Sequence, residues 1–344
     1  MKASDIGGEV RSVRWRTLDF WPCALVLIAT AVALPLIGSP STWLTLTVAG
    51  IAAGIIIFIV ASGLTLVFGL MDVLNFGHGV FVGSGAYVAA ALMTHLATWS
   101  RLTWATASAA ILISMLTAAL AVGVVGWAFE RVVIRPVYGE HLKQILVTMG
   151  GMIVAEELIK VFWGPQQIPL ALPEALRGAF IFPVGEHGAA VERFRLLVIG
   201  IGLLVLASLA YVLGRTKLGL LVRAGVLDSE MVEALGYRIR RLFVWVFVAG
   251  AALAGAGGAL WGFYQQNLVP QIGTQVNVLV FVVIIMGGLG STFGCFIGAL
   301  LVGLISNYAG FMAPKLALFS TLGIMVLILL WRPQGLYPVT SNRT

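Results

Sequence analysis

The sequence predicts an all-α polytopic membrane protein with about eight to ten transmembrane helices, some of them discontinuous. Of its 344 residues, 60% are apolar and only 10% are charged, whereas soluble domains carry about 25% charged residues. The mean hydropathy is +1.02, and the apolar residues form continuous runs close to the ~20 residues that a spanning helix needs. A transmembrane β-barrel is excluded because its strands are alternating segments of about 10 residues.

Nine apolar runs are long enough to be interpreted as spans, and a tenth is shorter. The nine cover residues 21–37, 43–69, 76–98, 103–128, 144–163, 194–213, 242–262, 293–311 and 316–331. The tenth, 276–288, precedes a glycine cluster, and we interpret it as half of a broken helix. The first run has the basic flank of a signal peptide, but no A-x-A cleavage site follows it, so it is retained as a helix.

The positions of the basic residues predict a cytoplasmic N-terminus. If each run crosses once, the inside segments hold fifteen of the 21 Lys and Arg residues and the outside segments hold five. The inside segments are 1–20, 129–143, 214–241 and 332–344. This positive-inside pattern needs an even number of crossings, so 276–288 must cross or one other run must not. The net charge of +7 then reflects topology and contact with membrane lipid. Nucleic-acid binding is not expected, because no basic stripe with interleaved aromatic residues occurs.

Motifs for several kinds of catalysis are absent from the sequence. There is no G-x-x-x-x-G-K-[ST] phosphate loop, no G-x-S-x-G and no H-E-x-x-H, so the chain is not expected to hydrolyse ATP or to be an enzyme. The four histidines are scattered, and no metal site or cofactor is expected. Glu156 and Glu157 are adjacent and point about 100° apart on a helix. We expect one of them to pair with Lys160, although either could face a cavity.

The first motif that could carry function follows the second apolar run. Asp72, Asn75 and His78 occur within seven positions, and glycines stand on both sides of the histidine. Polar side chains inside a bilayer are costly and usually face a bundle interior or a cavity, and a broken helix exposes backbone groups that can line a substrate path. The alternative is that Asn75 and His78 cap a span at the cytoplasmic interface.

A glycine cluster near the end of the chain is the second motif. Gly287, Gly288 and Gly290 predict a tight turn after a short apolar run, and Gly294 and Gly298 give a G-x-x-x-G packing face. We interpret the cluster as a break in a spanning segment. The two motifs then fall in different halves of the chain, which is typical of transporters built from repeats.

The inside loop 214–241 predicts a two-turn amphipathic helix. Its polar and terminating residues are Asp228 or Ser229 at the N-cap, Glu230 and Glu233 in the helix, and Gly236 at the C-terminus. Acidic side chains are favoured near a helix N-terminus, and glycine is favoured just past the end. Such a helix can rest on anionic lipid or dock a cytoplasmic partner, and the acidic side chains favour docking.

Several stretches together resemble one known family. The runs GLTLVFGLMDVLNFGHGVFVGSGAY at 63–87 and RAGVLDSEMVEALGYRIRRLFVWVFVAGAALAGAGGALWG at 223–262 are similar to the LivH-type permeases of branched-chain amino-acid ABC importers. Three shorter stretches agree, at 158–173, 287–303 and 332–337. The resemblance implies a type II-like ABC importer permease that forms a path for branched-chain amino acids with a second permease. It also implies two cytoplasmic ATPase subunits, a periplasmic binding protein and the bacterial inner membrane.

The resemblance also implies roles for particular residues. The translocation-path candidates are Asn75, Gly77, His78, Gly79, Gly288, Gly290 and Ser291. The ATPase-coupling helix would contain Asp228, Glu230, Glu233 and Gly236. Val80 departs from the family pattern, in which many members have a polar or acidic residue. Urea, short amides or other amino acids therefore remain alternative substrates, and an ATP-independent carrier remains a further alternative.

The sequence divides into three parts. Residues 1–44 form an N-terminal extension that includes the first transmembrane helix, and residues 338–344 form a C-terminal tail. Between them, 45–337 is the permease transmembrane domain, with the coupling loop 214–241 and a Pro- and Gly-rich outer loop at 164–193.

Overall fold

The computed structural model describes residues 20–73, 75–185, 188–227 and 229–338, and these residues are mostly helical. The helices are α1 Trp21–Ile37, α2 Pro40–Met71, α3 His78–Leu96, α4 Trp104–Phe129, α5 His141–Trp163, α6 Glu174–Arg177, α7 Arg193–Arg215, α8 Lys217–Leu227, α9 Ser229–Ala234, α10 Ile239–Gln265, α11 Ile272–Gly287, α12 Thr292–Met312 and α13 Ala317–Trp331. Four short strands are β1 Ile168–Pro169, β2 Ala179–Phe182, β3 Ala189–Glu192 and β4 Asn267–Leu268. Strand β1 pairs with β4 and strand β2 with β3, both antiparallel. Each of the ten apolar runs contains one of these helices, which confirms the predicted fold class.

Six helices in the described part of the chain are long and apolar enough to cross a membrane. They are α2, α3, α4 with its continuation to Val137, α7, α10 and α12. Helices α1, α11 and α13 are apolar but shorter, and α5 carries charged side chains within its 23 residues. Helices α1 and α13 pack against α12, and helices α5 and α11 pack against α3, so these four belong to the same bundle.

The described residues of the predicted inside segments 129–143, 214–241 and 332–344 lie at one end of the bundle, here called the basic end. There, Asp72 lies 4.0 Å from His141, and the Cys23 thiol lies 3.6 Å from the Tyr337 hydroxyl. The start of α10 belongs to the same end, because α10 runs antiparallel to α2. The β1–β4 pair joins the chain after α5 to the chain after α10 at the opposite end.

Helix α2 forms the centre of the bundle. In its most apolar stretch 89% of the residues are buried, against 17% for α7 at the periphery. Helices α10 and α12 approach α2 closely because small residues meet there: Gly63 lies against the backbone of Gly250, and Gly54 against that of Ala299. Small residues allow this kind of approach where no hydrophobic effect drives helices together in lipid.

Two of the crossings are broken, and the first break is near the predicted position. The Nε2 atom of His78, the first residue of α3, lies 3.0 Å from the carbonyl oxygen of Val60. Val60 precedes the end of α2 at Met71 by eleven residues, or about 16 Å at 1.5 Å per residue. The chain therefore returns from Met71 to the middle of the bundle without forming a helix. We call residues 72–77 the re-entrant segment; residue 74 within it lies outside the described residues.

The second break differs from the sequence prediction. Residues 287–290 do not interrupt a span; they form the turn between α11 and α12. Gly288 and Gly290 have φ values of 100° and 80°, which reverse the chain, and the side chain of Ser291 caps α12 by accepting a hydrogen bond from the Gly294 amide. The second break lies before α11, which starts deep in the bundle with Gly273 against the backbone of Gly79.

Candidate functional site: the re-entrant segment and the coupling surface

The re-entrant segment is held by side chains from two other helices. The amide of Phe76 donates to the Thr148 hydroxyl of α5 at 3.1 Å, and the Phe76 carbonyl accepts from Nδ2 of Asn277 on α11 at 2.8 Å. The Phe76 ring stacks on Phe281 at 4.6 Å. Backbone groups that leave a helix inside a membrane need such partners, because lipid supplies none.

The four candidates of the first motif lie together at the start of α3, and all are buried. Asn75 is 1% exposed, and neither polar atom of its side chain has a hydrogen-bond partner among the described residues. A Cβ atom on Gly77 would lie 2.8 Å from the Thr148 carbonyl oxygen, and one on Gly79 would lie 2.5 Å from that of Gly273. The interpretation of Asn75 and His78 as interfacial caps is wrong: no side chain caps α3, and α3 starts in the middle of the bundle.

His78 connects α3 to the centre of α2. Its Nε2–H donates to the carbonyl oxygen of Val60, and the side chain is 1% exposed. For a permease of the kind that the resemblance implies, we expect His78→Leu to lower uptake by the assembled transporter several-fold, because α3 loses its polar contact with α2. His95→Leu, at the exposed far end of the same helix, is the matched control. Normal uptake by the His78 variant at equal membrane abundance would show that the contact serves packing alone.

The second motif lies apart from the first. Gly288, Gly290 and Ser291 are at the basic end, where a Cβ atom on Gly69 would lie 2.6 Å from the Gly290 Cα. The turn also holds the C-terminal segment, since the Tyr337 amide donates to the Gly287 carbonyl at 3.0 Å. Between Asn277 and Gly288, α11 spans eleven residues, or about 16 Å. The structure thus joins the two motifs through α11 without bringing their residues into contact.

The predicted coupling helix is present as α9, between α8 and α10 at the basic end. Asp228 lies outside the described residues, and Glu230 lies within α9. Glu233 and Leu235 are exposed, whereas Val232 is 5% exposed and anchors the segment. Gly236 ends the helix with φ 89°, and its amide donates to the Glu233 carbonyl at 2.9 Å. The exposed side of 231–237, which we call the coupling surface, therefore faces away from the bundle.

Sequence reasoning missed several residues that hold the re-entrant segment. Thr148 and Asn277 are buried and contact Phe76, and Thr274 donates to Glu156 at 3.1 Å. Asn277 is a lone polar residue in the apolar run 276–288, and that isolation was the available signal. In the described parts of the chain, no three His, Cys, Asp or Glu side chains are grouped as metal ligands would be.

A cavity of about 320 Å³ opens at the end opposite the basic end. It lies between the end of α3 and the outer loop. Its charged lining residues are Arg101, Glu174 and Arg177. Because it lies above the last turns of α3, it is separated along that helix from the re-entrant segment.

These features define a class of protein. Crossing helices that are broken within the membrane and joined by glycine contacts are typical of transport proteins. The chain matches, over residues 46–330, the family model described as the branched-chain amino acid transport system / permease component. It belongs to this family.

Individual relatives agree with the family assignment. The chain is 27% identical over 290 residues to the high-affinity branched-chain amino acid transport system permease protein BraD of Pseudomonas aeruginosa, covering 83% of this chain and 93% of BraD. It is 26% identical to LivH of Escherichia coli K12, covering 83% of this chain and 92% of LivH. It is also 29% identical over 340 residues to LivM of the same organism, covering 92% of this chain and 74% of LivM. No solved structure matches.

Proposed function

We propose that the chain is a permease subunit of an ATP-driven importer and forms, with a second permease, the translocation path for branched-chain amino acids. The observation that carries this proposal is the family match over residues 46–330. Because the chain has no phosphate loop, two cytoplasmic ATPase subunits drive the cycle, and a periplasmic binding protein delivers the substrate. The assembly lies in the bacterial inner membrane with the N-terminus of this chain in the cytoplasm, which the excess of basic residues at one end supports.

Coupling to ATP hydrolysis takes place at the coupling surface. An ATPase subunit shifts the permease between conformations only if it binds one of them more tightly than the other. Glu233 and Gly236 belong to this surface, and Asp228 and Glu230 precede it in the sequence. The apolar anchor Val232 transmits its displacement to α10, which packs on α2 at the centre of the bundle.

The path-forming motif residues act as the part of the permease that rearranges. Asn75 and Gly77 belong to the non-helical re-entrant segment, and His78 and Gly79 begin α3. Non-helical backbone at membrane depth is found where it is packed in protein or lines a water-filled cavity. Gly288, Gly290 and Ser291 form the turn that holds α11 and α12. A change in the tilt of α11 moves both motifs at once, because Asn277 of α11 holds the re-entrant segment.

Reconstitution tests the proposal. The chain is tagged, expressed with its neighbouring genes, purified in mild detergent and placed in liposomes. We expect a second permease-like chain and two phosphate-loop ATPases to co-purify, and we expect leucine uptake to need ATP and the binding protein. If the importer takes up urea or a short amide and leucine does not compete, the substrate is that compound and not a branched-chain amino acid. Uptake by the chain alone, driven by an ion gradient, would contradict the proposal.

A further inference from the structure

Three charged side chains lie together on α5, within the span of the bundle. Lys160 Nζ is 2.6 Å from Glu157 Oε1 and 3.7 Å from Glu156 Oε1. Glu156 also accepts a hydrogen bond from the Thr274 hydroxyl of α11 at 3.1 Å. Glu156 is therefore fixed between two helices, while Glu157, whose side chain is 62% exposed, is held only by Lys160. We call these three residues the α5 triad.

The side chain of Glu157 is exposed although the α5 triad lies well inside the ends of the bundle. Glu156 precedes the end of α5 at Trp163 by seven residues, or about 10 Å, and Thr274 follows Gly273, which packs against Gly79 near the middle of the bundle. Around Glu157 the outward side chains of α5 are exposed and apolar, for example Ile153 and Val161. An exposed carboxylate at this depth is expensive against lipid, and charged side chains in spans face a water-filled cavity or another subunit.

A second observation points to the same seam between α5 and α11. Asn277 lies one turn along α11 from Thr274 and is only 5% exposed. Its Nδ2 is 2.8 Å from the Phe76 carbonyl and 4.0 Å from the Met152 sulfur of α5, so its carboxamide faces α5. Its Oδ1 has no partner among the described residues. This seam therefore holds an unused acceptor beside the α5 triad and next to the re-entrant segment.

The charge of the α5 triad indicates which ligand it suits. Two carboxylates oppose one ammonium group, so the α5 triad carries a net charge of −1 in a chain whose net charge is +7. Glu156 accepts a hydrogen bond from Thr274, and Lys160 donates to Oε1 of Glu157, which leaves free acceptor capacity on Oε2 of the exposed Glu157. A cationic ammonium group satisfies that carboxylate with a charge-assisted hydrogen bond, whereas urea or a short amide leaves the excess negative charge unpaired.

We propose that the exposed face of α5 is a wall of the translocation path, and that Glu157 binds the α-ammonium group of a zwitterionic amino acid as it passes. Glu156 and Lys160 are positioning residues that hold Glu157 toward the path. This inference rests on the proposed function and adds to it the substrate's ammonium group and the helix that recognises it. It also distinguishes free amino acids from the uncharged alternatives.

The first experiment compares two carboxylates on one helix in the reconstituted importer. Glu140 pairs with Lys143 at 2.6 Å and the same i,i+3 spacing, but at the start of α5. We expect Glu157→Gln to lower saturated leucine uptake per ATP hydrolysed about tenfold or more, as for loss of a hydrogen bond to a charged group. Glu157→Asp should restore much of that uptake, and Glu140→Gln should change neither uptake nor ATP hydrolysis. Wild-type uptake by Glu157→Gln would overturn the inference.

The second experiment needs no transport by the Glu157 variant. The two native cysteines are first removed by Cys23→Ser and Cys295→Ala, and Ile153→Cys is introduced in the assembled importer. We expect this cysteine to react faster with the positively charged aminoethyl methanethiosulfonate than with the negatively charged sulfonatoethyl methanethiosulfonate. Glu157→Gln should remove that preference. Leu204→Cys, equally exposed on the peripheral α7, should not react, because a thiol in lipid does not ionise. An unreactive Ile153→Cys would show that lipid or a subunit covers this face, which would overturn the inference.

The two experiments separate this inference from the proposed function. If the wild-type assembly shows no ATP-dependent uptake of leucine, the proposed function fails. If the wild type takes up leucine and Glu157→Gln does so equally well, the function stands and only the assignment of the α5 triad fails.

Discussion

Glu233→Lys is expected to uncouple the importer: ATP-dependent uptake falls at least ~30-fold, and the binding protein no longer stimulates ATP hydrolysis. Reversing a charge in an interface places like charges together and costs about 2 kcal/mol or more. Glu233 is exposed on α9 and contributes nothing to the core of the bundle, so the chain should still insert and reach normal abundance. Uptake and ATP hydrolysis by the reconstituted complex measure the effect.

The control for this prediction lies at the same end of the bundle. Glu140→Lys changes charge by the same amount at an exposed position outside the coupling surface, and it should leave ATP hydrolysis and uptake nearly unchanged. Equal uptake by the Glu233→Lys variant and the wild type would mean that the ATPase subunits dock elsewhere. α9 would then be the lipid-resting helix that the sequence also allowed.

Gly79→Ala is expected to destabilise the bundle, because the added methyl group meets backbone that cannot easily move. The new Cβ would lie 2.5 Å from the carbonyl oxygen of Gly273, and Gly273 in turn lies against the Gly79 backbone. Neither backbone can move without separating α3 from α11, and such overpacking typically costs about 1–3 kcal/mol. The midpoint of thermal denaturation in detergent should fall accordingly.

Gly83→Ala, one turn further along α3, is the matched control for the packing prediction. Its Cβ would lie 3.4 Å from the Ile159 side chain, a contact that a flexible group can accommodate, so its midpoint should stay close to that of the wild type. If Gly79→Ala and Gly83→Ala have the same midpoint of thermal denaturation, the Gly79–Gly273 contact is not what holds the two broken crossings in place.

The two broken crossings show what neighbouring residues in the sequence can and cannot predict. The polar residues around Asn75 indicated the first break, because a helix that loses its apolar character over several residues is visible in the sequence. The glycines at 287–290 also predicted a break within a span, but they form a turn between two helices. Glycine permits both outcomes, and only the contact of Gly273 with Gly79 shows that the real second break precedes α11.

The candidate sites divide in the same way. The short helix α9 could be predicted from the sequence, since its acidic residues and the glycine that follows it lie within a few residues of one another. The partners of the re-entrant segment could not, because Thr148 and Asn277 are separated from Phe76 by 72 and 201 residues. Nothing in the local sequence indicates which distant side chain completes a backbone hydrogen bond.

The sequence by itself determined the fold class, the helical runs, the distribution of basic residues and the family resemblance. Each of these depends on composition or on neighbours within one or two helical turns, and hydropathy acts on every residue independently of the others. Only the tertiary structure decided which glycines meet, how deep α3 begins and that Glu156 bonds Thr274 across two helices. Those features depend on how helices that are distant in sequence pack against each other. Apolar composition does not determine that packing, because many helix arrangements bury the same apolar residues equally well.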